Sequence, residues 1–494
     1  MASQVVVTKT LNIQEIKEKN FVLSPSLYKR VNIKNKNVKK VRELLDRDLK
    51  SKDKGFEVGS TAYISESKYF FIRTKSLQET SFLPCYDKES IVPILPQAFK
   101  TYSLKEGDVL ISKDSNIGEV VILDRDLLNY MPSGGIYRLP LSKWRYYLLA
   151  FLKSGFFKTQ LNFLASRGAT IRHAKTLFLD CLIPFPNQIN PDEIVKYVEL
   201  LTKAIINKEK EIRKKHQLIL DKIERELLEN QKQNKFEYRL PNVKDIKEVG
   251  RLDTGLYSEE FKRFDFLIRN YVNGFFTLTL QDLKGGNTPR QNNRIIGTGE
   301  FIWITPTNIS QYGFLKNIEK ISIKTKKYNI NKDCLIVINR GNKEDLVRGF
   351  YYDYSLLGDG HHNQGCYRVE NKSKYNLIFL ASLLNSEFYR KFISTLSIGS
   401  KMPEIKISQI INIPFPNFPE SKQREIAELY YNPIEYSISL KLDNFLEEDS
   451  RWNEKVGILQ LDMSAKKLRE SLDKVVHKIV MDEEVNIKFD FKNE

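Results

Sequence analysis

The pentapeptide Ile-Pro-Phe-Pro-Asn occurs twice in this chain, at Ile183–Asn187 and Ile413–Asn417. It is the last of five short likenesses that share nearly one offset. Leu23–Arg30 resembles Leu252–Arg263, with Leu23/Leu252 and Tyr28/Tyr257 each 229 residues apart. Phe71–Leu77 precedes Trp303–Ile309 by 232, Gly134–Leu139 precedes Gln364–Val369 by 230, and Ser154–Lys158 precedes Ser386–Arg390 by 232. Singly none of these carries weight, but five in one order at one spacing are hard to obtain by chance. The chain reads as two copies of one domain, residues 1–187 and 237–417, each followed by a helical stretch, residues 188–236 and 418–494.

Two copies suit the length. A chain of 494 residues exceeds what one compact core organises. Hydrophobic residues make up 41%, with 29 Phe and 24 Tyr, which argues against a disordered chain. Gly107–Leu123 sets β-branched runs on either side of Asp-Ser-Asn-Ile-Gly and reads as strand, turn, strand; Asn331–Tyr352 repeats the pattern. Arg145–Leu164 and Asn376–Ile393 carry helical apolar spacing. Each half is therefore α+β.

Pro191–Gln231 opens with proline and acidic residues, as a helix N-terminus does, and no Pro or Gly follows. Val198, Ile205, Ile212 and Ile219 fall seven apart, with Ile194 and Leu201 widening the stripe. Ile458, Leu461, Ala465, Leu468, Leu472, Val475 and Ile479 form a second seam. Lys208, Lys215 and Lys222 take the alternate seam positions of the first helix, which makes it a poor dimer by itself. Homodimerisation is the plain alternative; two seams in one chain favour an intramolecular antiparallel coiled coil. At 1.5 Å per residue the first helix spans roughly 60 Å, enough to hold two domains apart.

A formal net charge of +17 points to a polyanion partner, most often nucleic acid, against the plain alternative of a lysine-rich proteome. Cys85, Cys181, Cys334 and Cys366 form no C-x-x-C pair, which argues against a zinc ribbon or disulfide scaffold and fits a reducing cytoplasm. No signal peptide is apparent, and apolar runs such as Leu377–Leu384 fall short of a membrane span. The chain is expected to be soluble and cytoplasmic.

Catalytic motifs are missing. Ser397–Lys401 lacks the first glycine of a phosphate loop, and neither G-x-S-x-G nor H-E-x-x-H occurs. His361–His362 has only Asp359 and Cys366 nearby as further ligands, so a surface loop touching a polar ligand is preferred to a metal site. Asn432–Tyr436 is similar to the Asn-Pro-Pro-aromatic loop of amino-methyltransferases but lacks the second proline. Glu404–Lys406 has a nuclease-like E-x-K spacing without the preceding acidic strand residue. The chain is expected to do no chemistry and to bind no metal or cofactor itself. Instead it offers polar loops, Arg167–Thr176, Thr288–Gly297, Asn339–Arg348 and His361–Gly365. Arg pairs bidentately with guanine and Asn or Gln with adenine, whereas Lys contacts phosphates. Solvated turns rich in Asn and Gly are the plain alternative.

At this point the pattern resembles a known family, the specificity subunit of type I restriction–modification systems. The residues are the paired openings Leu23–Tyr28 and Leu252–Tyr257, and "LKGGNTPRQ…IGTGEFIWITPTNI", similar to the family's G-G-T-P-S…G-x-I-P-W segment. "LKEGDVLIS…GEVVI", "SGGIYRL" and the two IPFPN stretches, similar to the family's I-P-L-P-P joint, complete it. The first half departs from the pattern: no G-G-x-T-P segment precedes Phe71. The resemblance implies two target-recognition domains, each reading half of a bipartite, asymmetric site in double-stranded DNA. It also implies helices that set the spacing and dock adenine methyltransferase subunits carrying S-adenosylmethionine, and through them a restriction subunit. A type II methyltransferase–nuclease system, or a non-enzymatic adaptor or RNA-binding protein, stays open as an alternative. Loop placement nominates Arg73, Lys75, Lys113, Arg167, Arg172, His173 and Lys175 as DNA-binding residues of the first copy. In the second they are Arg290, Asn292, Asn293, Arg294, Asn339, Arg340, Lys343, His361, His362, Asn363 and Lys401.

Overall fold

The structure, a computed structural model, describes all residues except 1–4, 8–9, 19–20, 22, 24–27, 165–174, 317, 325–327, 344, 400–401, 436–439 and 490–494. The chain divides into two compact units. The first comprises Met1–Glu211 with Glu435–Glu454 and Leu461–Glu494; the second comprises Ile212–Ile434 with Lys455–Gln460. Among the described residues no helix is long and apolar enough to cross a membrane.

In the first unit, β1 (Val38–Lys40) is followed by β2 (Phe70–Ile72), β3 (Ile91–Pro93), β4 (Val109–Ser112), β5 (Val120–Ile122), β6 (Tyr130–Pro132) and β7 (Ile136–Leu139). Helices α1 (Arg145–Lys153) and α2 (Gly155–Leu164) and strand β8 (Leu182–Pro184) complete the copy, and the long α3 (Pro191–Glu229) follows, its residues from Ile212 onward belonging to the second unit. One sheet has the order β3-β2-β6, with β2 and β6 parallel; another has the order β5-β4-β7 and is antiparallel. β8 pairs with β1.

The second unit repeats this plan. It runs β9 (Phe275–Phe276), β10 (Leu283–Gly285), β11 (Arg294–Ile304), β12 (Glu319–Ile323), β13 (Asn329–Ile330), β14 (Cys334–Ile338), β15 (Gly349–Tyr352), β16 (Gly360–His362) and β17 (Cys366–Val369). Then come α4 (Lys374–Asn385), α5 (Glu387–Leu396), β18 (Phe415–Pro416) and α6 (Glu420–Tyr430). The parallel pair recurs as β11 and β16, the antiparallel core as β15-β14-β17, and the closing pair as β9 with β18. The central strands β4 and β14 are buried at every position, so their apolar runs are continuous where half-exposed strands would alternate. The two strand–turn–strand readings fall on β4–β5 and β14–β15.

Arg145–Leu164 was expected as one helical stretch; it forms two helices. Ser154 has extended backbone, with φ −74° and ψ 153°, and separates α1 from α2. Its hydroxyl donates to the Phe151 carbonyl at 2.6 Å and accepts from the Phe157 amide at 3.4 Å. Ser386 does the same between α4 and α5, donating to Leu383 at 2.6 Å and accepting from Tyr389 at 3.3 Å. The repeated Ser-x-aromatic-aromatic-basic stretch is thus a helix break in which one serine closes one helix and caps the next. Ser386→Ala is expected to cost about 1 kcal/mol, read as a lowered denaturant midpoint at unchanged m-value.

The IPFPN stretches form matching joints. Pro184 and Pro416 lie in two-stranded pairs with a free edge, where a missing amide donor is tolerated. The Tyr147 hydroxyl donates to the Pro184 carbonyl at 2.6 Å while its ring stacks on Phe185 at 4.9 Å. Tyr389 donates to Pro414 at 3.0 Å and stacks on Phe415 at 5.8 Å. Both tyrosines are buried, so each joint is a packed corner.

Beyond α6 the chain forms α7 (Phe445–Lys455) and α8 (Ile458–Val480). Within the first unit α8 shares a core with the start of α3: Val198, Leu201 and Ile205 join Leu468, Leu472, Val475 and Ile479. Their directions are opposed. Gln188 and Asn187, just before α3, bond to Glu483 and Asp482 after α8, whereas Glu209 pairs with Arg469. The seam lysines find partners outside α8. Lys208 is fully buried and its Nζ donates to Asp449 Oδ1 at 2.6 Å and Asn453 Oδ1 at 2.7 Å, both on α7. In the second unit Lys215 donates to the Val456 carbonyl and Lys222 pairs with Glu425 of α6. Short helices and a linker thus carry the complementary groups.

Candidate nucleic-acid interface

In each copy three chain segments leave the sheets at one edge. In the first copy they follow β2, β4 and β6. The Lys113 amide donates to the Gly135 carbonyl at 2.8 Å, and the Ser133 amide to Ile72 at 2.8 Å. A Cβ on Gly135 would sit 2.8 Å from Thr74 Cγ2, so this crossing admits only glycine without a shift. The edge brings Arg73, Lys75 and Lys113 together with Thr74 and Ser133. Each cation already has a partner: Arg73 donates to the Glu89 carbonyl at 2.9 Å, Lys75 pairs with Glu89, and Lys113 with Asp114. Beside Lys75 an open cleft of about 530 Å³ is lined also by Gln78, Asn116, Glu119 and Asn162.

The second copy uses the same crossings. The Asn339 amide donates to Gly365 at 3.0 Å, and the Asn363 amide to Ile304 at 3.0 Å. The Gly286–Thr288 stretch joins this edge, since Thr288 Oγ1 accepts from the Gln364 amide at 3.3 Å. Arg340 is half-buried and its guanidinium donates to Glu404 Oε2 at 2.8 Å. Arg290, Asn292, Asn293 and Lys343 are exposed, and Arg294 starts β11 opposite Ile323. Lys175 is exposed with φ 44°. Arg167, Arg172, His173 and Lys401 lie outside the described residues.

The reading of Gly358–Gly365 as a surface loop is corrected. Gly360–His362 is strand β16, between β11 and β13, and all three residues are buried. His361 stacks on Trp303 at 5.6 Å, with Nε2 3.1 Å from the Asn287 carbonyl. Among the described residues neither ring nitrogen of His362 has a hydrogen-bond partner, and its ring fills the space a Gly286 side chain would need. Asn339 is likewise buried, donating to the Gln364 carbonyl at 3.2 Å. Two polar residues between glycines look like a turn in sequence; the parallel pairing with β11 and the apolar neighbours outweigh that local signal. The edge residues Thr74, Ser133, Thr288 and Gln364 went unnominated, although the Gly134/Gln364 likeness already placed one of them.

Burial also sets the histidine chemistry. His362 is pushed down to about 3 by burial and then by Arg368. His216, packed edge-on against Tyr312, is pushed down to about 4 by burial and then by Arg390. Both stay neutral in the fold but titrate near 6.5 when unfolded, so the unfolded state binds more protons below that pH. Stability is therefore insensitive to them above pH ~6.5 and falls by up to about 1.4 kcal/mol per pH unit per histidine below it, until about pH 4 for His216 and about pH 3 for His362. Comparing wild type with His362→Phe by denaturant melts from pH 7 to 4.5 should show a shallower acid slope in the variant. Parallel slopes would contradict this.

A duplicated α+β scaffold with two polar loop edges is thus the class that the fold defines. The chain belongs to the type I restriction modification DNA specificity domain family, whose model matches residues 34–215 and again 274–432. It is a DNA-recognition component, not the catalytic part, of such a system. Among solved structures, the type I restriction–modification S subunit from M. genitalium is 14% identical, covering 91% of this chain and 96% of that one with a TM-score of 0.43. The HsdS subunit from Thermoanaerobacter tengcongensis is 13% identical, covering 83% and 90% with a TM-score of 0.25. At these scores the assignment rests on the family model. No curated protein gave a significant match.

Proposed function

We propose that this chain is the subunit that reads a bipartite, asymmetric duplex site, one half with each copy, and directs adenine methyltransferase subunits to it. A restriction subunit joins through them, S-adenosylmethionine resides on the methyltransferase, and the complex works in the cytoplasm. The observation that carries this is the family match falling twice, once on each copy. Two readers in one chain suit a split target, as two half-site modules suit an operator. A type II methyltransferase–nuclease partner would use the same recognition chain.

Single-strand binding at the loop edges is disfavoured, because stacking platforms need exposed aromatic faces, and Phe71 and Trp303, on the strands that lead to those edges, are buried. The discriminating experiment is the affinity of the purified chain for duplex DNA and for RNA across salt. Duplex affinity should fall by about a thousandfold or more between about 50 and about 200 mM salt if six or more phosphates are contacted. Equal or tighter RNA binding would favour the RNA-binding alternative.

A further inference from the structure

Each copy sends one loop from its sheets onto the helices behind it, and the two loops are the same stretch of sequence. Ser81-Phe82-Leu83 and Gly313-Phe314-Leu315 lie 232 residues apart. In the first copy the loop is clamped by charge. Glu209 of α3 accepts from the Ser81 hydroxyl at 2.8 Å, from the Phe82 amide at 3.0 Å and from the Leu83 amide at 3.1 Å. Arg469 of α8 pairs with Glu209 and donates to the Thr80 carbonyl. From the domain side, Lys153 donates to the Gln78 carbonyl at 2.6 Å and Lys158 pairs with Glu79 at 2.6 Å. The second copy has its own counterpart. His216 of α3 packs against Tyr312, and Tyr430 of α6 donates to the Gly313 carbonyl.

We propose that the Glu209–Arg469 clamp on Ser81–Leu83 is a positioning device: it fixes the first reader's orientation on its helices and thereby the gap between half-sites. This rests on the two-half-site reading above. Neighbouring base pairs are about 3.4 Å apart along the axis, so counting a gap to one pair requires each reader to be held more tightly than that. A loop tied by four polar contacts to two helices supplies such restraint, and neither clamp residue is among those nominated to touch DNA.

The test uses the full chain co-expressed with its methyltransferase partner and maps methyladenine at base resolution. Glu209→Ala and Arg469→Ala should keep both half-site sequences but lower the preference for the native gap over gaps one pair longer or shorter by about tenfold. Arg469→Lys, which keeps the charge beside Glu209, should restore most of it. In the purified chain, hydrogen exchange at the Phe82 and Leu83 amides should speed at least tenfold in Glu209→Ala while β4 amides stay unchanged. An unaltered gap preference in both variants overturns the proposal, as does a uniform loss of methylation at every gap, which would mark a merely structural contact. If Glu209→Ala does not accumulate, Ser81→Ala carries the test, and an unchanged gap there also overturns it. A wild-type chain that yields no split motif would sink the half-site reading instead, while the exchange measurement still decides whether the clamp holds the loop.

Discussion

Lys208→Ala is expected to lower the unfolding free energy by about 3–5 kcal/mol. The ammonium is fully enclosed and serves Asp449 and Asn453 together, with the Trp452 ring 4.6 Å from Nζ. Burial depresses the Lys208 pKa against the pull of Asp449, so desolvation outweighs the pairing. Removing the lysine takes the ammonium partner away from the buried Asp449 carboxylate, which is where the cost arises. Replacing both partners by apolar groups, as in Lys208→Met with Asp449→Leu, should recover most of the loss, because neither charge then needs compensation. Denaturant melts of the three variants check this; a double variant as unstable as the single would mean that Asn453 or the packing dominates.

The second large effect is predicted at Asn35. Its side chain is buried and makes four hydrogen bonds. Nδ2 donates to the Phe185 carbonyl at 2.8 Å and the Ile479 carbonyl at 2.9 Å. Oδ1 accepts from the Asn37 amide at 2.8 Å and from Asn187 Nδ2 at 2.9 Å. One amide thus ties the segment before β1, the first IPFPN joint and the end of α8 together. Asn35→Ala strands these groups away from water, each worth about 1–3 kcal/mol; with partial relaxation a loss of about 3 kcal/mol is expected. Hydrogen exchange should quicken first at the Asn37 and Phe185 amides. Loss confined to one of those segments would mean that the asparagine does not couple them.

Why the joints and helix breaks were legible in sequence, and the lysine partners were not, follows from range. Ser154, Ser386, Pro184 and Pro414 act on backbone within a few residues, so their chemistry shows as a repeated local pattern. The seam of α3 was likewise visible, since an apolar period needs only one helix. Lys208 was correctly singled out as misplaced in a seam, but its partners sit 241 and 245 residues away on α7, a helix whose polar residues give no apolar signal. His361 and His362 failed for the opposite reason. Their glycine-flanked context is genuinely turn-like, and only the neighbouring strands make it a buried strand. The docking loop was within reach, because Phe82-Leu83 and Phe314-Leu315 keep the same offset as the other likenesses. A two-residue match nevertheless means little until a structure shows both copies resting on helices.

The central claim is that the duplicated copies are two readers of one split site. The measurement that tests it most directly is a genome-wide methyladenine map, made with the cognate adenine methyltransferase in the presence and absence of this chain. The account predicts a motif of two different half-sites separated by a fixed gap, present only when the chain is co-expressed. A contiguous motif, or methylation that persists without the chain, would contradict it.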